Sequence, residues 1–387
     1  MRLLFSFVGG RGHVEPLLPI ARAAEAAGHT VAFAGRHSRL AVIEALGFDF
    51  FPLGAPGDNK PPQRLPLLEL DPEREEHDVR ERFIRDAARE RAPAAVALYA
   101  DWRPDVVACD QMDFGGLIAA ERVGLPYATV LVLAAGSALV RPDVVAEPLD
   151  ELRAEHGLPP DPEVAMHGRY LVLSPFPSTL RDPGYPLPST AHFFRAFSPD
   201  PADDASPWPM RLKAAPTVYF TLGTVFNLES GDLFSRVLEG LRGLPINVVA
   251  TVGPHIDPDE FQPLPENTHV EQYIPQSQVL PYCDAVVSHG GSGSVLGALA
   301  HGLPSVLLPM GADQPLNAAR CEELGVARVL DAVRAAPEAI RESVSVVLSE
   351  LSYRAAAERL RDEIAALPDP AHAVTLIERL AETPDRS

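Results

Sequence analysis

Short apolar runs alternate with glycine-rich and amphipathic segments at the start of the chain. Residues 3–8 are nearly all apolar, which is typical of a strand buried on both faces, and residues 9–12 form a glycine-rich turn. Apolar positions then recur at helical spacing over residues 17–24, and residues 30–34 form a second apolar run. A strand, a turn, a helix and a second strand predict a βαβ unit, whose crossover makes the two strands parallel.

This alternation continues and begins again after residue 216. Further strands are predicted at residues 105–109, 127–133, 217–221, 246–250, 285–288 and 305–308. Helices are predicted at residues 115–123, 232–242, 293–301 and 317–324, and along the Ala/Glu/Arg/Leu-rich stretch 336–382. Two series of βα units predict an α/β protein with two Rossmann-like domains.

Proline and aspartate concentrate between the two series. Residues 198–216 contain five prolines and three aspartates, a composition typical of an interdomain linker. We therefore predict an N-terminal domain over 1–205, a linker over 206–216, a C-terminal domain over 217–370 and a helical tail over 371–387. A second Pro/Asp/Glu-rich segment, residues 54–78, is either a surface loop or a flap over a binding cleft.

Charge and cysteine content exclude several classes of protein. The formal net charge of −20 disfavours binding to nucleic acid or to an anionic membrane. Lys60 and Lys213 are the two lysines, so Schiff-base chemistry has few candidates. Cys109, Cys283 and Cys321 lack the spacing of a zinc site and fit a reducing compartment. With no signal peptide and no run of 18 apolar residues, we expect a cytoplasmic protein.

The first glycine-rich turn does not fit a dinucleotide-binding fingerprint. Gly10 and Gly12 match its first two positions, but Glu15 stands at the third. Arg36 follows the second strand, where an acidic residue should bind the ribose. We therefore set NAD and FAD aside.

The same turn carries His13, at the carboxyl end of a strand, where open α/β sheets bind their ligands. The following helix is expected to lower the pKa of His13 and to favour its neutral form. Asp110 follows another strand and would reach the same sheet edge, with Asp113 as the less favoured partner. A histidine held by a carboxylate predicts a general base near neutral pH.

The second half contains a glycine-rich turn at residues 289–294, with the sequence His-Gly-Gly-Ser-Gly-Ser between a strand and a helix. Such a turn directs backbone N–H groups and the helix dipole at an anion, typically a diphosphate, although its glycines could serve only the turn itself. No lysine follows, so the turn is not a P-loop. Asp313 and Gln314 follow the next strand, and an acid beside an amide suits the hydroxyls of a sugar.

Together these motifs resemble those of the family-one nucleotide-sugar glycosyltransferases of GT-B fold, particularly the bacterial enzymes that glycosylate polyketide and macrolide antibiotics. The specific part of the resemblance spans residues 273–325 and comprises Ile274-Pro275-Gln276, Leu280-Pro281, the 289–294 turn, Ala298-Leu299-x-x-Gly302-x-Pro304 and Pro309-x-x-x-Asp313-Gln314-x-x-Asn317. Weaker matches are Gly12-His13-x-x-Pro16 and Pro104-Asp105-x-Val107-x-x-Asp110. The resemblance implies two Rossmann-like domains that face each other across a cleft.

It also implies an inverting transfer without a metal or cofactor, in which His13, assisted by Asp110, takes the proton of an acceptor hydroxyl. The residues expected to bind the nucleoside-diphosphate sugar are Gly12, Thr221, Gly223, Thr224, Ile274, His289, Gly290, Gly291, Ser292, Gly293, Ser294, Asp313 and Gln314. Many UDP-sugar enzymes of the family carry a glutamate for the ribose where this chain has Gly297. We therefore expect a dTDP-sugar in preference to a UDP-sugar.

The acceptor is expected to be a hydrophobic small molecule with a hydroxyl, such as a macrolide or other polyketide aglycone. Met112 and Phe114 are predicted to line its site, together with Phe7 and the apolar residues of 65–70 and 131–139. Transfer to a nitrogen or carbon atom of the acceptor stays an alternative. The sequence does not fix the oligomeric state, and a homodimer is possible.

Three alternatives share parts of this reading. A nucleotide-sugar epimerase would bind the diphosphate but needs no acceptor, and a non-catalytic helper protein would be expected to lose the donor turn or the base. A lipid-linked transferase would need a membrane-docking patch. The arginines of residues 80–91 alternate with acidic residues, which instead predicts a solvated helix with i,i+4 ion pairs.

Overall fold

The computed structural model describes residues 1–54, 63–137, 140–196 and 212–382. Most of the predicted linker, Lys60, Leu139 and the last five residues lie outside these ranges, so the domain limits stay predictions. The strands of the N-terminal half are β1 (Arg2–Ser6), β2 (Thr30–Gly35), β3 (Asp49–Pro52), β4 (Val106–Asp110), β5 (Tyr127–Val130), β6 (Leu171–Ser174) and β7 (Ala191–Phe193). Those of the C-terminal half are β8 (Thr217–Thr221), β9 (Asn247–Thr251), β10 (Thr268–Glu271), β11 (Ala285–Ser288), β12 (Ser305–Leu307) and β13 (Ala327–Val329).

Each half forms one parallel sheet with its first strand near the centre. The orders are β3-β2-β1-β4-β5-β6-β7 and β10-β9-β8-β11-β12-β13. The order reverses between β1 and β4 in the first sheet and between β8 and β11 in the second, and ligands of open α/β sheets bind at such points. The prediction of two Rossmann-like domains is therefore confirmed.

Helices cover both faces of the sheets. They are α1 (Arg11–Val14), α2 (Leu18–Ala26), α3 (Leu40–Ala45), α4 (Pro72–Asp78), α5 (Arg89–Trp102), α6 (Phe114–Val123), α7 (Pro142–Glu155), α8 (Leu233–Leu241), α9 (Gln276–Val279), α10 (Ser292–Ala300), α11 (Gln314–Glu323), α12 (Pro337–Ser349), α13 (Leu351–Ala365) and α14 (Pro370–Glu382). A ten-residue helical segment with π-type hydrogen bonds, Val79–Ala88, joins α4 to α5. Within the described ranges, no helix is both long and apolar enough to span a membrane.

The two halves are connected by the last helix and by a shared apolar cluster. The last helix, α14, returns to the N-terminal half, where Ala373, Val374 and Ile377 are buried against the core beneath α2. A second connection is an apolar cluster between the halves, in which Leu131 and Phe176 of the first pack with Leu299 of the second. The three cysteines are buried and unpaired, which agrees with the reducing compartment expected from the sequence.

The segment predicted as a loop or flap connects the halves in its described part, residues 63–78. Arg64 forms a two-bonded ion pair with Glu260, at 2.7 and 2.8 Å, and the backbone N–H of Leu65 donates to the carbonyl of Leu228. Leu67 packs on the core of the C-terminal half. Glu75 of α4 accepts from the N–H of Ala312 at 3.3 Å, so the extended stretch and α4 both lie against the C-terminal half.

Candidate active site

His13 and Asp110 meet at the point where the strand order of the first sheet reverses. The Asp110 carboxylate is completely buried, and its Oδ2 atom lies 3.2 Å from Nδ1 of His13. The backbone N–H groups of Val8 and Met112 also donate to this carboxylate, at 2.8 and 2.6 Å. Because an ionised carboxylate can only accept, Nδ1 carries the proton and Nε2 of the neutral ring keeps a free lone pair.

The ring of His13 lies directly over Gly9. A Cβ atom at Gly9 would lie only 2.0 Å from the ring carbon Cδ2, so any side chain there would displace the imidazole. The His13 side chain is 24% exposed. The turn therefore fixes the ring and leaves part of it open.

The prediction that the pKa of His13 is lowered is wrong. Burial alone would lower this pKa, but the charge and the hydrogen bond of Asp110, with the charge of Asp313, raise it overall. The helix that was expected to lower it, α1, has only four residues. A neighbouring carboxylate outweighs the weak dipole of so short a helix.

Asp113, the other predicted partner of His13, is engaged elsewhere. Its buried carboxylate binds the guanidinium of Arg91 at 2.9 and 3.0 Å and accepts from the N–H of Gly116 at the start of α6. Arg91 was predicted to lie on a solvated helix face and is instead almost fully buried. Its neighbours Arg82 and Arg85 form the expected i,i+4 ion pairs.

The second glycine-rich turn encloses His289 where the strand order of the second sheet reverses. Cβ atoms at Gly223 and Gly291 would lie 2.7 and 2.5 Å from Nε2 of His289, so the ring fits only between two glycines. Gly223 also has φ +73°, a conformation that favours glycine. Burial lowers the pKa of His289 to about 4, so the ring is neutral at physiological pH and offers one N–H donor.

The turn leads into the N-terminus of α10, where backbone donors face the cleft. The first N–H groups of a helix have no partner within the helix, and they attract anions together with the helix dipole. Gly293 has no atom within 4 Å of where its Cβ would lie, so the backbone there is open to a ligand. The Ser294 hydroxyl lies 3.4 Å from Nε2 of Gln276. The arrangement can bind a diphosphate.

Asp313 lies beside this turn and is held by it. Its Oδ2 atom accepts from the N–H and the hydroxyl of Ser292 and from Nδ2 of Asn317. Burial raises the pKa of Asp313, and the bonds from Ser292 and Asn317 counteract that rise. The hydroxyl of Ser292, predicted to bind the donor, is thus bonded to Asp313, and Oε1 of Gln314 accepts from the N–H of Met310 at 2.8 Å.

The two sites face each other across the cleft between the halves. The charge of Asp313, in the C-terminal half, contributes to the raised pKa of His13, in the N-terminal half. A direct contact between the halves lies nearby, where the guanidinium of Arg11, in the N-terminal half, lies over the ring of Tyr273, in the C-terminal half, 4.8 Å from its centroid. Tyr273 precedes Ile274, so the turns that carry the base and the predicted donor site are in contact.

Several predicted residues do not line open space. Met112 and Phe114 are buried in the core of the N-terminal half, and the Phe114 ring packs 5.4 Å from that of His167. These two residues were predicted to line an acceptor site, and the structure places them in the core instead, since Met112 and Phe114 are 6% and 0% exposed. The Thr221 hydroxyl bonds with Thr251. The side chain of Ile274 is buried, and its expected contact with the base of the nucleotide, through the backbone, stays a prediction.

Thr224 is exposed, and Gly12 has no atom within 4 Å of where its Cβ would lie. The backbone at Gly12 is therefore open, beside the His13 ring. In the described part of the chain, no three His, Cys, Asp or Glu side chains cluster in a way that could hold a metal ion.

Sequence reasoning missed the role of Asn317. This residue is completely buried, and its side chain bonds with Asp313, with the Gly290 carbonyl and with the N–H of Ala135 in the other half. The available signal was its position four residues after Asp313, which brings the two side chains together over the first turn of α11.

Comparisons with known proteins agree with this geometry. Residues 235–380 match the family model of the erythromycin biosynthesis protein CIII-like C-terminal domain. The chain is 30% identical to 4'-demethylrebeccamycin synthase of Lentzea aerocolonigenes, over 98% of this chain and 99% of that protein. It is 29% identical to tylactone mycaminosyltransferase of Streptomyces fradiae, over 98% and 92% of the two chains.

Solved structures show the same architecture. The glycosyltransferase VinC, solved in complex with dTDP, superimposes with a TM-score of 0.79 at 25% identity, over 99% of this chain and 100% of that one. The spinosyn rhamnosyltransferase SpnG gives a TM-score of 0.82 at 22% identity, over 99% and 100%. The GT-B fold and the family inferred from the sequence are therefore confirmed. This chain belongs to the bacterial glycosyltransferases of GT-B fold that attach sugars to antibiotic natural products.

Proposed function

We propose that this glycosyltransferase moves a sugar from a dTDP-sugar to a hydroxyl of a hydrophobic natural product, with inversion at the anomeric carbon and without a metal. The observation that carries the proposal is that a carboxylate-held histidine and an anion-binding helix terminus face each other across the cleft. Relatives support the kind of acceptor, since one transfers mycaminose to tylactone by its name.

His13 is the general base. Its Nδ1 proton is held by Asp110 at 3.2 Å, so the Nε2 lone pair is directed away from that carboxylate and can accept the proton of an acceptor hydroxyl. The acceptor oxygen attacks the anomeric carbon as its O–H bond breaks. The bond from that carbon to the diphosphate oxygen breaks on the opposite face, so the configuration inverts.

The leaving diphosphate is stabilised by the chain itself. The N–H groups that follow Ser292 at the start of α10 and the neutral His289 ring donate to its oxygens, and the helix dipole stabilises the developing negative charge. The N–H of Ser292 itself donates to Asp313. A neutral donor suits this place because a buried imidazolium would cost more to desolvate. Asp313 would hold the sugar through its remaining oxygen.

The absence of a side chain at Gly297 supports a deoxyribose donor. Gly297 is buried in α10 and offers no acceptor for a ribose 2'-hydroxyl. A buried hydroxyl without a partner costs about 1 kcal/mol or more, so we expect UDP to bind about 5–10-fold more weakly than dUDP, which lacks only that hydroxyl. Competition binding of dTDP, dUDP and UDP measures this difference, and tighter binding of UDP would exclude a dTDP-sugar as the preferred donor.

Release of nucleoside diphosphate tests the transfer itself. Purified protein with dTDP-glucose or UDP-glucose is expected to release the diphosphate only when a phenolic or macrolide acceptor is present, and the α-linked donor should yield a β-glycoside by NMR. An epimerase would act on the donor without an acceptor, and a helper protein would bind dTDP without turnover. An α-glycoside would overturn the inverting mechanism.

A further inference from the structure

The loop after β5, residues 131–137, reaches from the N-terminal half into the donor site. The N–H of Ala134 donates to Oγ of Ser292 at 2.7 Å, and the N–H of Ala135 donates to Oδ1 of Asn317 at 3.0 Å. Both acceptors belong to the C-terminal half and are buried. Two consecutive backbone N–H groups of the N-terminal half therefore donate hydrogen bonds to two side chains of the C-terminal half.

These same two side chains hold Asp313. Ser292 donates its hydroxyl proton to Oδ2 of Asp313, and Nδ2 of Asn317 donates to that oxygen at 2.7 Å. Nδ2 of Asn317 also donates to the carbonyl of Gly290 at 3.0 Å. The Ser292 hydroxyl accepts from the loop and donates to Asp313, whereas Asn317 accepts from the loop through Oδ1 and donates to Asp313 through Nδ2. A shift of the loop therefore changes the position of the carboxylate.

The other face of the loop is fixed to the N-terminal half. The N–H of Val132 donates to Oε1 of Gln111 at 3.3 Å, and Gln111 directly follows Asp110 in the chain. From the opposite side, the Arg181 guanidinium donates to the Leu133 carbonyl at 3.3 Å. An unbroken series of hydrogen bonds and covalent bonds thus runs from Asp110 through the loop to Asp313.

We propose that Asn317, with Ser292, is a positioning residue that fixes the carboxylate of Asp313 relative to His13 by docking on the 131–137 loop. The inference rests on the proposed function, in which Asp313 holds the sugar. Asn317 itself does not touch the sugar. Alignment of the anomeric carbon with the base requires this distance between the halves to be fixed, because a misplacement of about 1 Å can cost about 10²-fold in rate.

The test compares Asn317→Ala with Arg320→Ala. Arg320 lies on the same helix and also connects the halves, since its guanidinium donates to the Thr179 carbonyl at 2.8 and 3.1 Å, but it does not bond with Asp313. We expect Asn317→Ala to lower kcat about 30-fold. The Kd of dTDP, which lacks the transferred sugar, should stay within about 3-fold because the N-terminus of α10 still binds the diphosphate. Arg320→Ala should keep nearly the wild-type kcat.

Other outcomes have a defined meaning. Equal losses of kcat in Asn317→Ala and Arg320→Ala would mean that any contact between the halves has the same effect on catalysis, which overturns the proposal. A rise in the Kd of dTDP that parallels the loss of kcat would mean that the 289–294 turn has collapsed, which overturns it as well. Ser292→Ala removes the smaller side chain and decides on the same criteria where Asn317→Ala does not fold. Equal kcat values for wild type and Asn317→Ala would overturn the positioning role of Asn317 and leave the proposed function intact. If wild type showed no turnover, the proposed function and this inference would both be overturned.

Discussion

Replacing His13 by alanine is expected to lower the rate of sugar transfer by about 10²-fold or more. The alcohol proton then loses the acceptor that is positioned for it, because Asp110 is completely buried behind the ring. Binding of dTDP should change little, since all of its predicted contacts except the one at Gly12 lie on the C-terminal half. The measurement is acceptor-dependent release of diphosphate under saturating donor. His192→Ala, an exposed histidine on the edge strand β7, serves as the control and should keep full activity.

The pH profile shows whether the lost group is this imidazole. The pKa of His13 is raised above 6.5 by Asp110 and Asp313 against the effect of burial, and the base must be deprotonated to act. The value of kcat/KM should therefore rise with pH through a midpoint above 6.5. Asp110→Asn removes one negative charge, so its midpoint should move to lower pH and its plateau should fall. An unchanged midpoint in Asp110→Asn would assign the titration to another group.

The sequence predicted best where burial is strongest. The central strands β1, β4, β8 and β11 were predictable because strands covered on both faces read as continuous apolar runs. The edge strand β10 was not, because its four residues are all only partly buried and mix polar with apolar side chains. The pairing of His13 with Asp110 followed from the same logic, since both residues follow strands that meet at one sheet edge.

Properties that depend on the exact distance between two side chains, or on the direction in which a side chain points, were not predictable from the sequence. The sign of the pKa shift of His13 depends on a 3.2 Å contact that spans 97 residues of sequence. Phe114 was assigned to the acceptor site because apolar residues look alike in a core and in an apolar pocket. Arg91 lies in a run of alternating arginines and acids, and periodicity alone does not reveal which arginine turns inward.

The burial of Arg91 leads to a large expected loss of stability. Arg91→Met should lower the free energy of unfolding of the N-terminal half by about 3–5 kcal/mol, because it leaves the Asp113 carboxylate buried without its counter-ion. The guanidinium makes two bonds to Asp113 and one, at 2.9 Å, to the Ser6 hydroxyl. Urea denaturation followed by the fluorescence of Trp102, at the end of the same helix, measures the change; Trp208→Phe in every protein leaves Trp102 as the reporter.

A surface arginine with more ion pairs gives the matched control. Arg85 pairs with Glu81, Glu147 and Glu151, yet its side chain is 22% exposed and its partners are 38–60% exposed. Exposed pairs are screened by water, so Arg85→Met should cost less than a third of the loss in Arg91→Met. The double variant Arg91→Met/Asp113→Asn should recover part of that loss, because it removes the unpaired charge. If Arg85→Met and Arg91→Met were equally destabilised, the number of ion pairs and not their burial would determine the stability of this half.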